Sequence, residues 1–394
     1  MKIKLQIIIA AILFVPAIIS GQALIVDSAY FFDSNKLKSV TSYRINDQDT
    51  IYEGKATFYY ITGDLWQEGN YTNGQMSGLW KTRYPDGKLK RKAMYVDGKK
   101  NGKIVNYYHN GNPKLVLNYQ LDSLCGLTTL YHENRRIKET RFYKKNKLNG
   151  LTKGFNRDGS LSYRINFIDS IQNGIYEKYY PSGNIKEKGE ILDQQFFGHY
   201  NSYYENGQVE KEYSYKGFNI DGPYTVYYEN GNVMIQCEYV NGNIVGSWNQ
   251  YNDNGSLYES GNYIAGLREG KWSSYFPDST IYMTGSYNKG ITEGPWEVYH
   301  KNGNLKQQGN FVNGKPDGNW KYFHENGELK MKGSYQNNLS VGHWVHYYDN
   351  GKVKLDLYYT EGMLDGILTA YDTSTNIIEQ SEYRENKLIR QIKK

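Results

Sequence analysis

A glycine-led pattern of 24 residues recurs 14 times, without an insertion, through the body of the chain. The copies begin at Gly54, Gly78, Gly102, Gly126, Gly150, Gly174, Gly198, Gly222, Gly246, Gly270, Gly294, Gly318, Gly342 and Gly366. Such a period is the sequence signature of an architecture in which each repeat packs mainly on its neighbours. It argues against a division of the 394 residues into ordinary globular domains.

Four columns of the repeat carry large side chains. With the leading Gly as position 1, positions 6 and 18 are each aromatic, and position 12 aliphatic, in 13 of the 14 copies. Six of the seven Trp lie at position 3, and we interpret these six as the structural anchors of their repeats. They are Trp80, Trp248, Trp272, Trp296, Trp320 and Trp344.

Asn-Gly pairs separate the aromatic and β-branched runs. They occupy positions 9 and 10 in seven copies and positions 20 and 21 in three. Both residues tolerate the positive φ that a type I′ turn requires, so each copy reads as a β-hairpin. No window shows a sustained helical stripe. The sequence therefore predicts an all-β fold, an elongated single-layer antiparallel sheet of about 14 tandem 24-residue β-hairpin repeats.

The length of the first turn decides which side chains share a face. A two-residue turn pairs position 3 with position 16, which is Gly in six copies, so that Trp296 would face and cover Gly309. Positions 3, 7, 12 and 18 then form the core face. Position 6 goes to the other face with positions 4, 11, 13 and 15. A three-residue turn with a bulge would shift this pairing and can exchange the faces of positions 3 and 6.

The N-terminus has the pattern of an export signal. Lys2 and Lys4 precede a run over residues 7–19 without a polar side chain, and small residues follow. This run is too short to span a bilayer, so we predict a signal peptide over residues 1–23 and no transmembrane segment. The mature protein is then periplasmic, exposed on the outer surface or secreted. A degenerate repeat over residues 24–53, the 14 repeats over residues 54–389 and a tail over residues 390–394 complete the predicted organisation.

Composition argues against several classes of function. Two Cys cannot build a disulfide scaffold, and Cys125 and Cys237 lie so many strands apart that we expect two free thiols. A dispersed net charge of +6 argues against a nucleic-acid partner. His132, His300 and His324 all fall at position 7, where we interpret them as replacements for an aromatic ring. No catalytic arrangement stands apart from the repeat, so we predict no enzyme, no cofactor and no metal site.

The clearest copy reads GPWEVYHKNGNLKQQGNFVNGKPD from Gly294, and its pattern of G, W, Y, N-G, L, G, aromatic and N-G resembles the MORN repeat variant. The resemblance covers nearly the whole predicted mature chain and implies a single sheet of β-hairpins. It also implies a binding role without identifying a ligand. Some bacterial members belong to the YwqK-type antitoxin family, which is thought to neutralise toxins by binding them.

The candidate binding residues form a row at position 6. They are Tyr107, Tyr131, Tyr179, Tyr203, Tyr227, Tyr251, Tyr275, Tyr299 and Tyr347. Position 13 is Lys in seven copies, and the two-residue register makes it the cross-strand neighbour of position 6, as in Tyr107 with Lys114 and Tyr299 with Lys306. Such a ladder suits glycans, peptides or anionic head groups. Alternatively, the rings only cover the lysine stems on a solvated face.

Two functions are compatible with these observations. The first is an exported, non-enzymatic scaffold that binds a protein partner, with an antitoxin or immunity role against a toxin as a special case suggested by the family resemblance. The alternative is a glycan or cell-envelope binding module that uses the row of tyrosines.

Overall fold

The computed structural model describes residues 23–32 and 34–393, so the predicted signal peptide lies outside the described residues except for Ala23. The chain divides into two compact units. The N-terminal unit comprises residues 1–149 and 157–159, and the C-terminal unit comprises residues 150–156 and 160–394. Among the described residues none is helical, and the strands of each unit pair antiparallel. The predicted all-β class with antiparallel hairpins is confirmed.

The strands of the N-terminal unit are β1 (Ile25–Tyr30), β2 (Leu37–Asn46), β3 (Asp49–Tyr59), β4 (Leu65–Thr72), β5 (Gln75–Arg83), β6 (Leu89–Val96), β7 (Lys99–Lys100), β8 (Gly102–Tyr107), β9 (Pro113–Gln120), β10 (Ser123–Leu124), β11 (Gly126–Tyr131), β12 (Ile137–Lys144) and β13 (Lys147–Leu148).

The strands of the C-terminal unit are β14 (Gly150–Phe155), β15 (Leu161–Ile168), β16 (Ile171–Tyr179), β17 (Ile185–Leu192), β18 (Gln195–Tyr203), β19 (Val209–Lys216), β20 (Asn219–Ile220), β21 (Gly222–Tyr227), β22 (Val233–Val240), β23 (Asn243–Tyr251), β24 (Leu257–Ile264), β25 (Leu267–Tyr275), β26 (Ile281–Asn288), β27 (Ile291–Thr292), β28 (Gly294–Tyr299), β29 (Leu305–Val312), β30 (Lys315–Phe323), β31 (Leu329–Gln336), β32 (Leu339–Tyr347), β33 (Val353–Thr360), β34 (Met363–Leu364), β35 (Gly366–Tyr371), β36 (Ile377–Arg384) and β37 (Lys387–Lys393).

The second turn of the repeat is the two-residue turn that the sequence predicts. Val312 pairs with Lys315, and the intervening Asn313 and Gly314 have φ of 49° and 77°. Both angles are positive, as a type I′ turn requires. The Asn-Gly pair at positions 20 and 21 therefore suits the backbone conformation of this turn.

The first turn differs from the predicted two-residue turn. His300 N–H donates to the carbonyl of Asn304 (2.8 Å), and Gly303 N–H donates back to the carbonyl of His300 (3.0 Å), which leaves three residues in the loop. Gly303 has a φ of 88°, whereas Asn302 does not adopt a positive φ. Asn302 acts through its side chain instead: its Oδ1 accepts the N–H of Asn304 (3.0 Å) and its Nδ2 donates to the carbonyl of Glu325 in the next repeat (2.7 Å).

A second irregularity restores the predicted pairing beyond this turn. Tyr299 pairs with Leu305, the register then shifts, and Val298 pairs with Gln307, so Lys306 at position 13 is the extra residue of a bulge. Positions 1 to 5 thus pair with positions 18 to 14 as predicted, and positions 3 and 6 keep their predicted faces. Position 12 does not, because direct pairing places it on the same face as position 6. Its assignment to the core face was wrong.

Five of the six position-3 tryptophans cover a glycine, but not a glycine that they pair with. Trp296 pairs with Gly309, yet a Cβ built on Gly309 would lie 2.1 Å from the indole of Trp320, which belongs to the next repeat. The ring of Trp296 in turn covers Gly285 of the preceding repeat. Trp272 and Trp320 are buried, at 0% and 3% exposure. The prediction that a ring lies over each of these glycines is confirmed. The ring belongs to the next repeat, however, and not to the partner strand of the same hairpin.

Candidate binding surface

Within each unit, the candidate tyrosines of position 6 lie on the face opposite position 3, and each of the nine is half-buried. Direct pairing sets them beside the aliphatic side chains of position 12, as with Tyr299 and Leu305. This column of alternating rings and aliphatic groups, which we call the tyrosine face, is flanked by positions 4 and 15. Those two positions carry charged and polar groups such as Glu297 at position 4 and Lys332 at position 15. The face therefore has an apolar centre with a polar border.

Carboxylates fix several of these rings. Tyr299 Oη donates to Glu297 Oε2 (2.7 Å), Tyr179 Oη donates to Glu177 Oε2 (2.5 Å), and Tyr227 Oη donates to Glu212. The bond to Glu297, with burial second, raises the pKa of Tyr299 to about 12. Burial, with the bond to Glu212 second, raises the pKa of Tyr227 to about 12. These rings are neutral at physiological pH and held in one orientation.

The main chain of position 6 is also held, by position 7 of the preceding repeat. Tyr108 Oη donates to the carbonyl of Tyr131 (2.7 Å), and Tyr228 Oη donates to that of Tyr251 (2.8 Å). His300 places a ring nitrogen 3.2 Å from the carbonyl of Phe323, in the same relation of 23 residues. His300 therefore replaces an aromatic ring and its polar group, which supports the prediction for position 7. This column of bonds links consecutive repeats along one edge.

The predicted pairing of position 6 with position 13 is wrong. Lys114 lies over the ring of Tyr108, at position 7 of its own repeat, with its Nζ 5.5 Å from the ring centroid. The lysine over the ring of Tyr107 is instead Lys92, at position 15 of the preceding repeat, with its Nζ 6.0 Å from the ring centroid. The same 5.5 Å contact joins position 13 to position 7 in three further repeats. The cause is the bulge, which removes position 13 from the pairing with position 6; Lys306 is likewise not paired with Tyr299.

Both cysteines are free thiols, as expected from their separation. Cys125 is half-buried, and burial raises the pKa of the Cys237 thiol to about 11. Across residues 23–32 and 34–393, no three His, Cys, Asp or Glu side chains come together in an arrangement able to hold a metal ion. The same part of the chain contains no helix of the length and apolarity that crossing a membrane demands.

Two residues were missed at the sequence level. Trp66 is the only Trp outside position 3; it lies at position 13, in the column that carries Lys in the next three repeats, and it is 41% exposed. Arg91 at position 14 was not singled out either. The available signal was the departure of Trp66 from the otherwise uniform tryptophan column.

Comparison with solved structures gives matches of low similarity. A TcdB2–TccC3 structure without its hypervariable C-terminal region is 11% identical over 90% of this chain, with a TM-score of 0.17. The Photorhabdus luminescens Tc holotoxin pore gives the same identity, coverage and TM-score. The chain spans 22% of the length of each of these two proteins. Such TM-scores do not establish a shared fold, and no curated protein matches the chain.

Comparison with protein families gives a repeated match. The MORN repeat variant family matches eight segments: residues 52–73, 76–97, 172–193, 198–216, 220–241, 292–313, 316–337 and 340–361. These segments lie in both compact units. Seven of the eight begin at the same point of the 24-residue period, as in the step from residue 292 to residue 316. The chain therefore contains variant MORN repeats, in each of its two compact units.

Proposed function

We propose that this protein is an exported, non-enzymatic scaffold whose tyrosine face binds a protein partner. The observation that carries the proposal is the row of position-6 rings, half-exposed and repeated once per hairpin. Tyrosine offers a large, amphipathic contact area with few torsions to immobilise, and it is enriched in protein interfaces. The carboxylate bonds of Tyr227 and Tyr299 lower the entropy cost of binding further, because the rings are already ordered.

The border of the tyrosine face supports a partner that contacts more than one repeat. Positions 4 and 15 change chemistry along the sheet: Glu297 lies in one repeat, Lys321 and Lys332 lie in the next, and Asp356 follows. Interfaces of this anatomy combine an apolar centre with a charged border that selects the partner. An antitoxin or immunity protein, which must recognise one toxin, is the special case suggested by resemblance to the YwqK-type family.

The binding test uses four tyrosines of consecutive repeats. The full-length protein carrying Tyr227→Ala, Tyr251→Ala, Tyr275→Ala and Tyr299→Ala should lose a partner that the unchanged protein captures from an envelope extract. A matched control changes position 8 of the same repeats, at the turn edge: Glu229→Ala, Asp253→Ala, Pro277→Ala and Lys301→Ala. This control should retain the partner. Equal capture by both variants would exclude the tyrosine face as the binding surface.

A fold control accompanies the binding test. The quadruple Tyr→Phe variant at the same four positions keeps the rings and removes only the hydroxyls, so it should remain folded and retain a substantial part of the binding. Thermal unfolding followed by circular dichroism should separate lost binding from lost structure. Loss of capture only in unfolded variants would contradict the proposal.

Export is tested separately from binding. Fusion of residues 1–30 to alkaline phosphatase, which is active only outside the reducing cytoplasm, should give active enzyme. The matched variant carries Ile8→Asp and Ile12→Asp, which place two charges inside the apolar run of residues 7–19. This fusion should stay inactive, because a signal peptide requires an uninterrupted apolar segment. Equal activity of the two fusions would contradict export through this segment.

A further inference from the structure

A cleft of about 660 Å³ opens in the N-terminal unit, away from the tyrosines used in the test above. Positions 5, 7, 13 and 14 of consecutive repeats supply most of its lining. Thr82, one of the lining residues, lies two positions after Trp80 on β5, so the cleft belongs to the face that carries the buried tryptophans. Of the position-6 tyrosines, Tyr107 alone contributes to its lining.

The charge of this cleft is one-sided. Lys90, Arg91 and Lys114 line it, and no Asp or Glu does. Lys90 and Lys114 each hold their Nζ 5.5 Å from a tyrosine ring centroid, and both side chains are exposed. Within residues 23–32 and 34–393, no ion pair joins any of these three cations to a carboxylate. Arg91 Nε is buried without a hydrogen-bond partner. The cleft therefore offers positive charge that the protein itself does not neutralise.

An exposed indole lies at the end of this row of cations. Trp66 lines the cleft and occupies position 13, the column that continues with Lys90 and Lys114 in the next two repeats. Neighbouring strands are about 4.8 Å apart, so successive members of this column lie roughly 10 Å apart. Gln67, Thr82 and Asn106 add amide and hydroxyl groups to the lining.

We propose that this cleft binds an acidic polysaccharide. A sugar ring would pack its C–H face on Trp66, the guanidinium of Arg91 would bind a carboxylate through two parallel hydrogen bonds, and the lysines would meet the charges of the following sugars. The amides and the hydroxyl suit sugar hydroxyl groups, because ligand sites fix orientation with a few such polar groups. A polymer with regularly spaced charges matches a column with regularly spaced cations. This inference concerns a different ligand class from the protein partner proposed above.

The test is titration calorimetry of the full-length protein with polygalacturonate. Binding should weaken as salt is added, because exposed charges are screened. Arg91→Gln should reduce affinity on the order of tenfold, since a charge-assisted hydrogen bond contributes that much. Trp66→Ala should also reduce it, on the order of tenfold, because it removes the ring on which the sugar packs. Lys306→Gln, a position-13 lysine of the C-terminal unit, is the matched control and should leave the affinity unchanged.

Other polymers decide the ligand class. Neutral dextran lacks the carboxylates, poly-glutamate lacks the sugar rings, and oligothymidylate carries its charge on phosphates that link the sugars. Each should therefore bind at least about tenfold more weakly than polygalacturonate. Equal binding of any of them would overturn the assignment. Absence of polygalacturonate binding, or its unchanged strength in Arg91→Gln, would overturn it as well. Trp66→Tyr retains an aromatic ring and should retain most of the affinity. This variant therefore distinguishes the loss of the ring that packs on the sugar from a loss of folding. The tyrosine-face quadruple variant should bind polygalacturonate normally, so the two proposals fail independently.

Discussion

Two segments differ in which residue is large where position 16 of one repeat meets position 3 of the next. In the C-terminal unit, Gly309 lies beneath the indole of Trp320 in the next repeat. In the N-terminal unit, Leu117 and Thr128 occupy the equivalent positions 16 and 3. The registers correspond, because position 15 pairs with position 4 of the next repeat in both segments. The large side chain has moved from position 3 of one repeat to position 16 of the repeat before it.

Position 3 stays buried although the residues are exchanged, whereas Leu117 at position 16 is half-buried. Trp320 is 3% exposed and Thr128 is 5% exposed. Close packing requires that the combined volume at a contact fills the available space, whichever partner supplies it. The absence of the position-3 tryptophan from residues 102–149 therefore does not mark a gap in the sheet. What differs is the size of the buried group at position 3, and with it the expected cost of truncating that group.

The largest expected effect is that of removing the indole. Trp320→Ala should destabilise the C-terminal unit by about 3–5 kcal/mol, because a buried ring and its contacts are lost. Thr128→Ala should cost only about 1 kcal/mol, as is usual for a small buried side chain. Chemical denaturation measures both, and hydrogen exchange should place each effect in the mutated repeat and its neighbours. A Thr128→Ala cost equal to that of Trp320→Ala would break the comparison.

The exchange of volume can be tested directly. Gly309→Leu alone should cost about 1–3 kcal/mol or more, because its Cβ would enter the indole of Trp320. Adding Trp320→Thr recreates the Leu117–Thr128 arrangement and should recover part of that loss, giving a favourable coupling in a double-mutant cycle. Gly309→Leu with Trp272→Thr is the control, since Trp272 covers Gly261 instead and the two changes should be additive.

The sequence predicted the fold because its period and turn residues act locally. Asn313 and Gly314 are residue types that favour the positive φ of a type I′ turn, and both adopt it. The occurrence of Trp at position 3 together with Gly at position 16 indicated that a ring lies over a glycine. Which repeat supplied that ring could not be read from the pairing of one hairpin. Nor could the bulge at Lys306, because it depends on the loop closed by His300 and Asn304 rather than on any single residue type.

The candidate site was predictable only in part, for the same reason. The tyrosines of position 6 reached their predicted face because positions 1 to 6 follow a regular strand. The lysines of position 13 did not, since the bulge turns them toward position 7. The cleft around Trp66 and Arg91 combines side chains of several repeats, and its charge follows from the lack of an acidic neighbour, which no single repeat reveals.

The smallest expected difference concerns the bonds that link position 7 to the next repeat. Tyr108 Oη lies 2.7 Å from the carbonyl of Tyr131, whereas the ring nitrogen of His300 lies 3.2 Å from that of Phe323. Tyr108→Phe keeps the ring and leaves the carbonyl without its donor, so it should cost about 1 kcal/mol. His300→Phe removes a longer bond and should cost less. The segment without tryptophans would then rely more on this edge than the tryptophan-rich segment does. Thermal unfolding of the two variants measures the difference, and a larger loss for His300→Phe would show that the edge bonds do not compensate for the smaller core.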